Sequence, residues 1–258
     1  MVNLYFNLIK MGLREIIRDK KLFFFISIFP LMFLIMFVIL GKTLPESNYM
    51  TIQFDEFMFP GVLIFALLSI GLYGTTAPLI EYRKNNTFKI FETTSLNKFI
   101  FILSLLSVRV IIGIFQISIF FLIGFVFEYI NFHNIILTFL ISTVILSFMI
   151  ALGIFLGGIF NSSEIALGVL SFLSAPILMI SNVLIPIDIF PETFKNITHL
   201  LPFAYMGDLL RGFMFDDYTL EYSYLRSFLV IIISFILVIF ISIKTFALYK
   251  KIWLYIFN

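Results

Sequence analysis

The sequence predicts an all-α integral membrane protein with six transmembrane helices, and three observations carry that prediction. Of its 258 residues, 61% are hydrophobic and only 12% charged, against about 25% charged in a soluble domain. The apolar residues gather into six blocks of about 20, the length that a hydrocarbon core of ~30 Å demands of a helix rising 1.5 Å per residue. These blocks are unbroken, whereas the strands of a membrane barrel alternate in runs of about ten. A mean hydropathy of +1.11 leaves no polar surface for a water-exposed domain. With no internal repeat and no low-complexity linker, one membrane domain over residues 1–258 is expected.

The elements follow in order. Residues 2–18 pattern as an N-terminal interfacial amphipathic helix: Val2, Phe6, Ile9, Leu13, Ile16 and Ile17 share one face, and Asn3, Asn7, Lys10, Arg14 and Arg18 line a polar stripe beside it. Basic residues beside an apolar face suit anionic headgroups; a plain basic flank that only sets topology is the alternative. The first span is Leu22–Gly41. It is too long for a signal-peptide core, and Gly41-Lys42-Thr43-Leu44-Pro45 offers no small-residue cleavage site. The second span is Phe57–Ile80. Residues 81–98 then mix charges with Phe88, Ile90 and Phe91, which reads either as an element docking on headgroups or a partner protein, or as a solvated loop.

Apolar character resumes at Phe99 and runs to Phe127, about 43 Å of helix. A mid-membrane guanidinium costs about 2.5–3.5 kcal/mol, so the third span is expected to start late, at Arg109, with that side chain snorkelling to the cytoplasmic boundary. Pairing of Arg109 with Glu164 is the other possibility. The fourth span is Ile135–Ile159, with Gly153 and Gly157 spaced for close helix packing. The fifth is Ile165–Ile185, and Pro30 and Pro176 should kink the first and fifth. Residues 186–226 are too apolar for a free loop. They are expected to re-enter the bilayer at the outer side or pack on the helix ends, broken into short helices by Pro186, Pro191 and Pro202. Ser227–Phe246 is the sixth span.

Charge distribution orients the bundle. Lys10, Arg14, Arg18, Lys20, Lys21, Arg83, Lys84, Lys89, Lys98, Lys244, Lys250 and Lys251 flank one side, and Lys42, Lys195 and Arg211 the other. Twelve against three predicts both termini and the loop after the second span in the cytoplasm.

Absent motifs exclude much chemistry. With no cysteine, disulfides and thiolate metal sites are ruled out. No phosphate-cradling loop occurs, nor any zinc-helix or nucleophile-elbow motif. His133 and His199 stand far apart without metal-ligand spacing. Acidic residues and histidines are missing from the span interiors, which argues against an ion-coupled carrier. A nucleic-acid partner is not expected.

The order and spacing of several segments resemble the permease subunits of ABC-2 type ATP-binding-cassette exporters. The run Arg18-Asp19-Lys20-Lys21-Leu22-Phe23-Phe24-Phe25 leads to Phe29-Pro30. Glu81-Tyr82-Arg83-Lys84-Asn85-Asn86-Thr87-Phe88 and Thr93-Thr94-Ser95-Leu96 are similar to the family's charged turn and its T-P-L-S-like stretch, with Thr94 where proline is frequent. Leu184-Ile185-Pro186 through Pro191, then Leu201-Pro202-Phe203-Ala204-Tyr205 and Leu210-Arg211, precede the last helix. The resemblance implies a dimeric pathway made with a second permease chain, same or similar, and driven by separate ABC ATPase subunits that bind ATP and Mg; no cofactor is expected in this chain. It implies an ATPase-coupling element carrying Glu81, Arg83, Lys84, Phe88, Phe91 and Glu92, and an outer re-entrant segment carrying Pro186, Pro191, Pro202, Phe203, Tyr205 and Arg211. The expected function is export of a lipophilic or amphipathic solute from the cytoplasmic membrane of a bacterial cell, in contact with membrane lipids. Two rivals stay open. One is a membrane-embedded lipid-modifying enzyme using Asp208, His199 and Glu192; the other is a non-transporting sensor or immunity partner on the same fold.

Overall fold

The computed structural model describes residues 2–43, 52–85, 87, 98–130, 134–187 and 190–256. Among them all regular structure is helical. Six helices are long and apolar enough to cross a membrane: Lys20–Thr43, Phe54–Lys84, Ile100–Val126, Ile135–Ile159, Ser163–Ile180 and Tyr224–Thr245. They are the first to sixth spans below.

Local chemistry explains where they start. Asp19 breaks the chain between the N-terminal helix Val2–Arg18 and the first span, and its carboxylate accepts from the Lys21 and Leu22 amides at 3.1 and 3.0 Å, satisfying donors that the new helix leaves orphaned. Glu56 closes a capping box on Gln53 at the start of the second span, its carboxylate accepting from the Gln53 amide at 2.9 Å.

The second span is the central post. Of its apolar stretch 89% is buried, against 11% for the sixth, so the other helices pack around it. Where it crosses the fourth, two glycines set the distance. A Cβ on Gly153 would lie 2.1 Å from the Gly71 carbonyl oxygen, and one on Gly71 would lie 2.3 Å from that of Met149; only bare backbones fit. Gly157 continues the seam against Leu79. The expected close packing at Gly153 and Gly157 is therefore built against the second span.

Several features differ from expectation: the second span runs longer, Phe54–Lys84, and the fifth stops at Ile180 instead of Ile185. The N-terminal helix does not merely lie on a membrane: Gly12 and Ile16 are buried, and the helix packs on the third span, where Gly12 meets Val108 and the Tyr5 and Ser107 hydroxyls bond at 2.6 Å. Phe6 and Ile17, 61% and 64% exposed, stand beside Lys10 and Arg14 and keep an apolar stripe free. The third-span helix does not start late. It runs unbroken from Lys98 to Val126, because Arg109 finds partners inside the protein. The last helix continues to Ile256.

Between the fifth and sixth spans lie the short helices Glu192–Thr198 and Pro202–Met214. The second of these is embedded in the bundle, with Phe203 through Arg211 all buried.

Candidate functional site

At the basic end of the bundle the second span, which continues to Lys84, is tied to three neighbours. Arg83 donates through Nη1 to the Gly158 carbonyl at 3.1 Å and through Nη2 to that of Phe160. Those carbonyls close the fourth span, where helix geometry leaves acceptors unpaired and the dipole negative. Glu81 accepts from the Ser163 hydroxyl in the first turn of the fifth span. The Tyr82 hydroxyl reaches both Glu15 oxygens of the N-terminal helix, at 3.1 and 2.9 Å. Of the expected coupling residues, Glu81 and Arg83 thus bind within the chain, and Lys84 is exposed. Phe88, Phe91 and Glu92 lie outside the described residues.

Higher in the same span is a polar node. Residues Leu72–Thr76 form a π turn, as do Phe24–Ile28 of the first span. Each ends two residues before a proline, Pro78 and Pro30, whose ring excludes the normal i−4 bond. The two turns face each other: Phe25 stacks on Tyr73 at 5.1 Å, and a Cβ on Gly74 would meet Ile26 at 3.0 Å. The Thr75 and Thr76 hydroxyls donate to the Ile70 and Gly71 carbonyls five residues back, at 3.1 and 3.2 Å, and Thr76 also reaches the Gly153 carbonyl at 3.0 Å.

Arg109 completes this node and corrects the snorkelling expectation. It is 4% exposed, donates through Nε to the Gly74 carbonyl at 2.7 Å and through Nη1 to the Leu105 carbonyl at 3.3 Å, and stands beside Tyr82. Glu164 is not its partner; that carboxylate accepts from Ser162 at 2.6 Å and faces Lys84.

The opposite end is organised by Arg211, which is fully buried. It lies 3.5 Å from the Phe57 ring centroid and donates to the carbonyls of Phe57, Asn182 and Val183 at 3.1, 2.9 and 2.8 Å. Asn182 sits at φ 55, a left-handed turn that asparagine tolerates. Asp208 accepts from the Tyr218 hydroxyl at 2.9 Å and from the Glu221 and Tyr222 amides at 3.0 Å each. Tyr205 donates to the His199 carbonyl at 2.9 Å, and His199 Nδ1 pairs with the Tyr222 hydroxyl at 2.9 Å. Burial pushes the Tyr218 phenol up from its ordinary value, with the bonded Asp208 adding to that. Phe203 is buried against Phe148, their rings 6.2 Å apart. Pro202 opens the buried helix and Pro191 the short one before it; Pro186 is buried in the preceding turn.

Two of the groups considered for lipid chemistry, Asp208 and His199, are employed as ties. Asp208 holds the connection to the sixth span, His199 holds Tyr222, and Glu192 stands exposed in the first turn of its helix. Among the described residues no cluster of three His, Cys, Asp or Glu could hold a metal ion.

Sequence reasoning missed three features. Pro78 was the visible signal for the second π turn. Asp55, buried at the start of the second span, accepts from the Tyr129 hydroxyl at 2.5 Å; burial and that carboxylate push the Tyr129 phenol up. Gln116, wholly buried in the third span, has no hydrogen-bond partner on either amide atom. A family model described as ABC-2 family transporter protein matches residues 41–244 of the chain, a stretch that holds the second to sixth spans and both ends of the bundle. No curated protein matches it.

Proposed function

Because the chain belongs to the ABC-2 family of transporter proteins, we propose that it is the membrane subunit of an exporter whose energy comes from a separate ABC ATPase. That partner binds ATP and Mg, and two permease chains, identical or similar, form the path between them. The basic end faces the cytoplasm with both termini, by the twelve-to-three charge asymmetry. The helices Glu192–Thr198 and Pro202–Met214 then dip into the outer leaflet. The membrane is the bacterial cytoplasmic membrane, and the cargo is a lipophilic or amphipathic solute.

The observation that supports this reading best is the three-way tie at the basic end of the second span. A partner pressing on the segment after Lys84, through Lys84, Phe88, Phe91 and Glu92, moves a helix whose end is bonded to the N-terminal helix through Tyr82, to the fourth span through Arg83 and to the fifth through Glu81. One push is therefore shared among several spans, as coupling between a docking element and a distant path requires. At the other end Arg211 and Asp208 fasten the outer helix to the second span and to the start of the sixth. Outer closure is then bonded to the central helix that the push moves.

The test is reconstitution in nanodiscs with the ATPase that co-purifies from native membranes, counting permease copies per particle. ATP-driven movement of an amphipathic fluorescent solute only by particles holding two six-span chains is expected. Transport by single-chain particles, or failure of any ABC ATPase to co-purify, would sink the reading.

A further inference from the structure

Pro78 creates a specific vacancy. In an α-helix the Gly74 carbonyl would accept from the amide four residues on, and that residue is Pro78, which has none. Water cannot fill the place of that donor at membrane depth, so an unpaired carbonyl is costly there. The guanidinium of Arg109, on the neighbouring span, supplies the donor at 2.7 Å.

We propose that Arg109 is a positioning residue that substitutes for the amide missing at Pro78, thereby setting the π turn of the second span as a hinge about which its basic end swings. Three observations and one general tendency converge on it. The turn lies beside its counterpart in the first span, with Phe25 stacked on Tyr73, so the two helices can bend at one level. Single π turns inside α-helices are frequent at functional sites. The hydroxyls of Thr75 and Thr76 add bonds to the Ile70 and Gly71 carbonyls, so the turn is braced where its backbone departs from α geometry. Arg109 also stands beside Tyr82 below the turn, and Tyr82 bonds Glu15, so the guanidinium sits where the two sides of the bend meet. The buried charge has a use here: an uncharged side chain would give the Gly74 carbonyl only a weaker, neutral bond, whereas the guanidinium gives a charge-assisted one and keeps a second arm on the Leu105 carbonyl.

The proposal rests on the transport reading only for its use, and the test separates the two. The chain has no cysteine, and a Cβ on Gly157 would lie 3.2 Å from that of Leu79, close to disulfide range. The double variant L79C/G157C therefore reports the placement of the helix just below the hinge. It is oxidised in nanodiscs without ATPase. Arg109→Gln should lower crosslinked yield about tenfold, as losing a charge-assisted bond would, while Arg109→Lys keeps most of it. The decisive arm is R109Q with Pro78→Ala, which returns an amide to Gly74 and should restore yield to within about twofold of the parent. A charge or packing role for Arg109 would not be rescued at Pro78. Undiminished crosslinking in R109Q, or no recovery with P78A, overturns the proposal. Parent crosslinking is then repeated in native membranes with MgATP and vanadate, where the yield should shift. If the first arms hold and ATP changes nothing, the positioning role stands and the transport reading falls.

Discussion

Replacing Gln116 with leucine should stabilise this protein, against the usual direction of core substitutions. The side chain is 0% exposed and neither its Nε2 nor its Oε1 has a partner. Each unsatisfied buried group costs about 1–3 kcal/mol, which would give about 2–6 kcal/mol for the two ends together. The unfolded chain in detergent also hides part of the amide, and polar contacts in membrane proteins average only about 0.6 kcal/mol, so the lower end applies. Leucine is close in volume and adds dispersion contacts with Phe120, the buried residue one turn on. The expected gain is about 2 kcal/mol, or a Tm rise of roughly 4–8 °C for a chain of this size. Thermal unfolding in nanodiscs measures it, with Gln116→Ala as the control that opens a cavity and should lower Tm. A fall in Tm for Q116L would refute the reasoning, since it would mean that the amide makes bonds that the protein needs.

Three other outcomes follow from the geometry. Gly153→Leu should cost about 1–3 kcal/mol or prevent folding, because its Cβ would strike the Gly71 carbonyl; unchanged Tm would contradict the close crossing of the second and fourth spans. Single cysteines at Ser47, Asn131 and Asn196 should react with an impermeant thiol reagent in intact cells, whereas those at Asn85 and Glu164 should not, and strong labelling at 85 would reverse the proposed orientation. Glu81→Lys should break the Ser163 tie and, like Glu92→Lys, reduce ATP-dependent export at least severalfold with insertion intact; full export by both variants would remove the coupling role.

What the sequence determined by itself was the solvent and the scaffold. Block length and unbroken apolar character are local properties, and with no water to bond the backbone they leave helices as the only choice, so all six spans were legible along with the short helices that begin at Pro191 and Pro202, though the fifth span ends at Ile180, ahead of Pro186. Glycine spacing likewise announced a close crossing at Gly153, though not that Gly71 would be its partner. Arg109 shows where local reading stops. Its insertion cost, taken alone, argued for a helix starting late and a snorkelling side chain. The structure runs the helix through it, because a proline in another span had left a carbonyl without a donor. Arg211 is the same case, neutralising its burial with three carbonyls drawn from the second span and the turn after the fifth. The cost of a buried polar group depends on which partners arrive beside it. In a bundle those partners come from helices far apart in the chain, so only tertiary packing decides whether a charge is a boundary marker, a tie or, like the Gln116 amide, a group left unpaired.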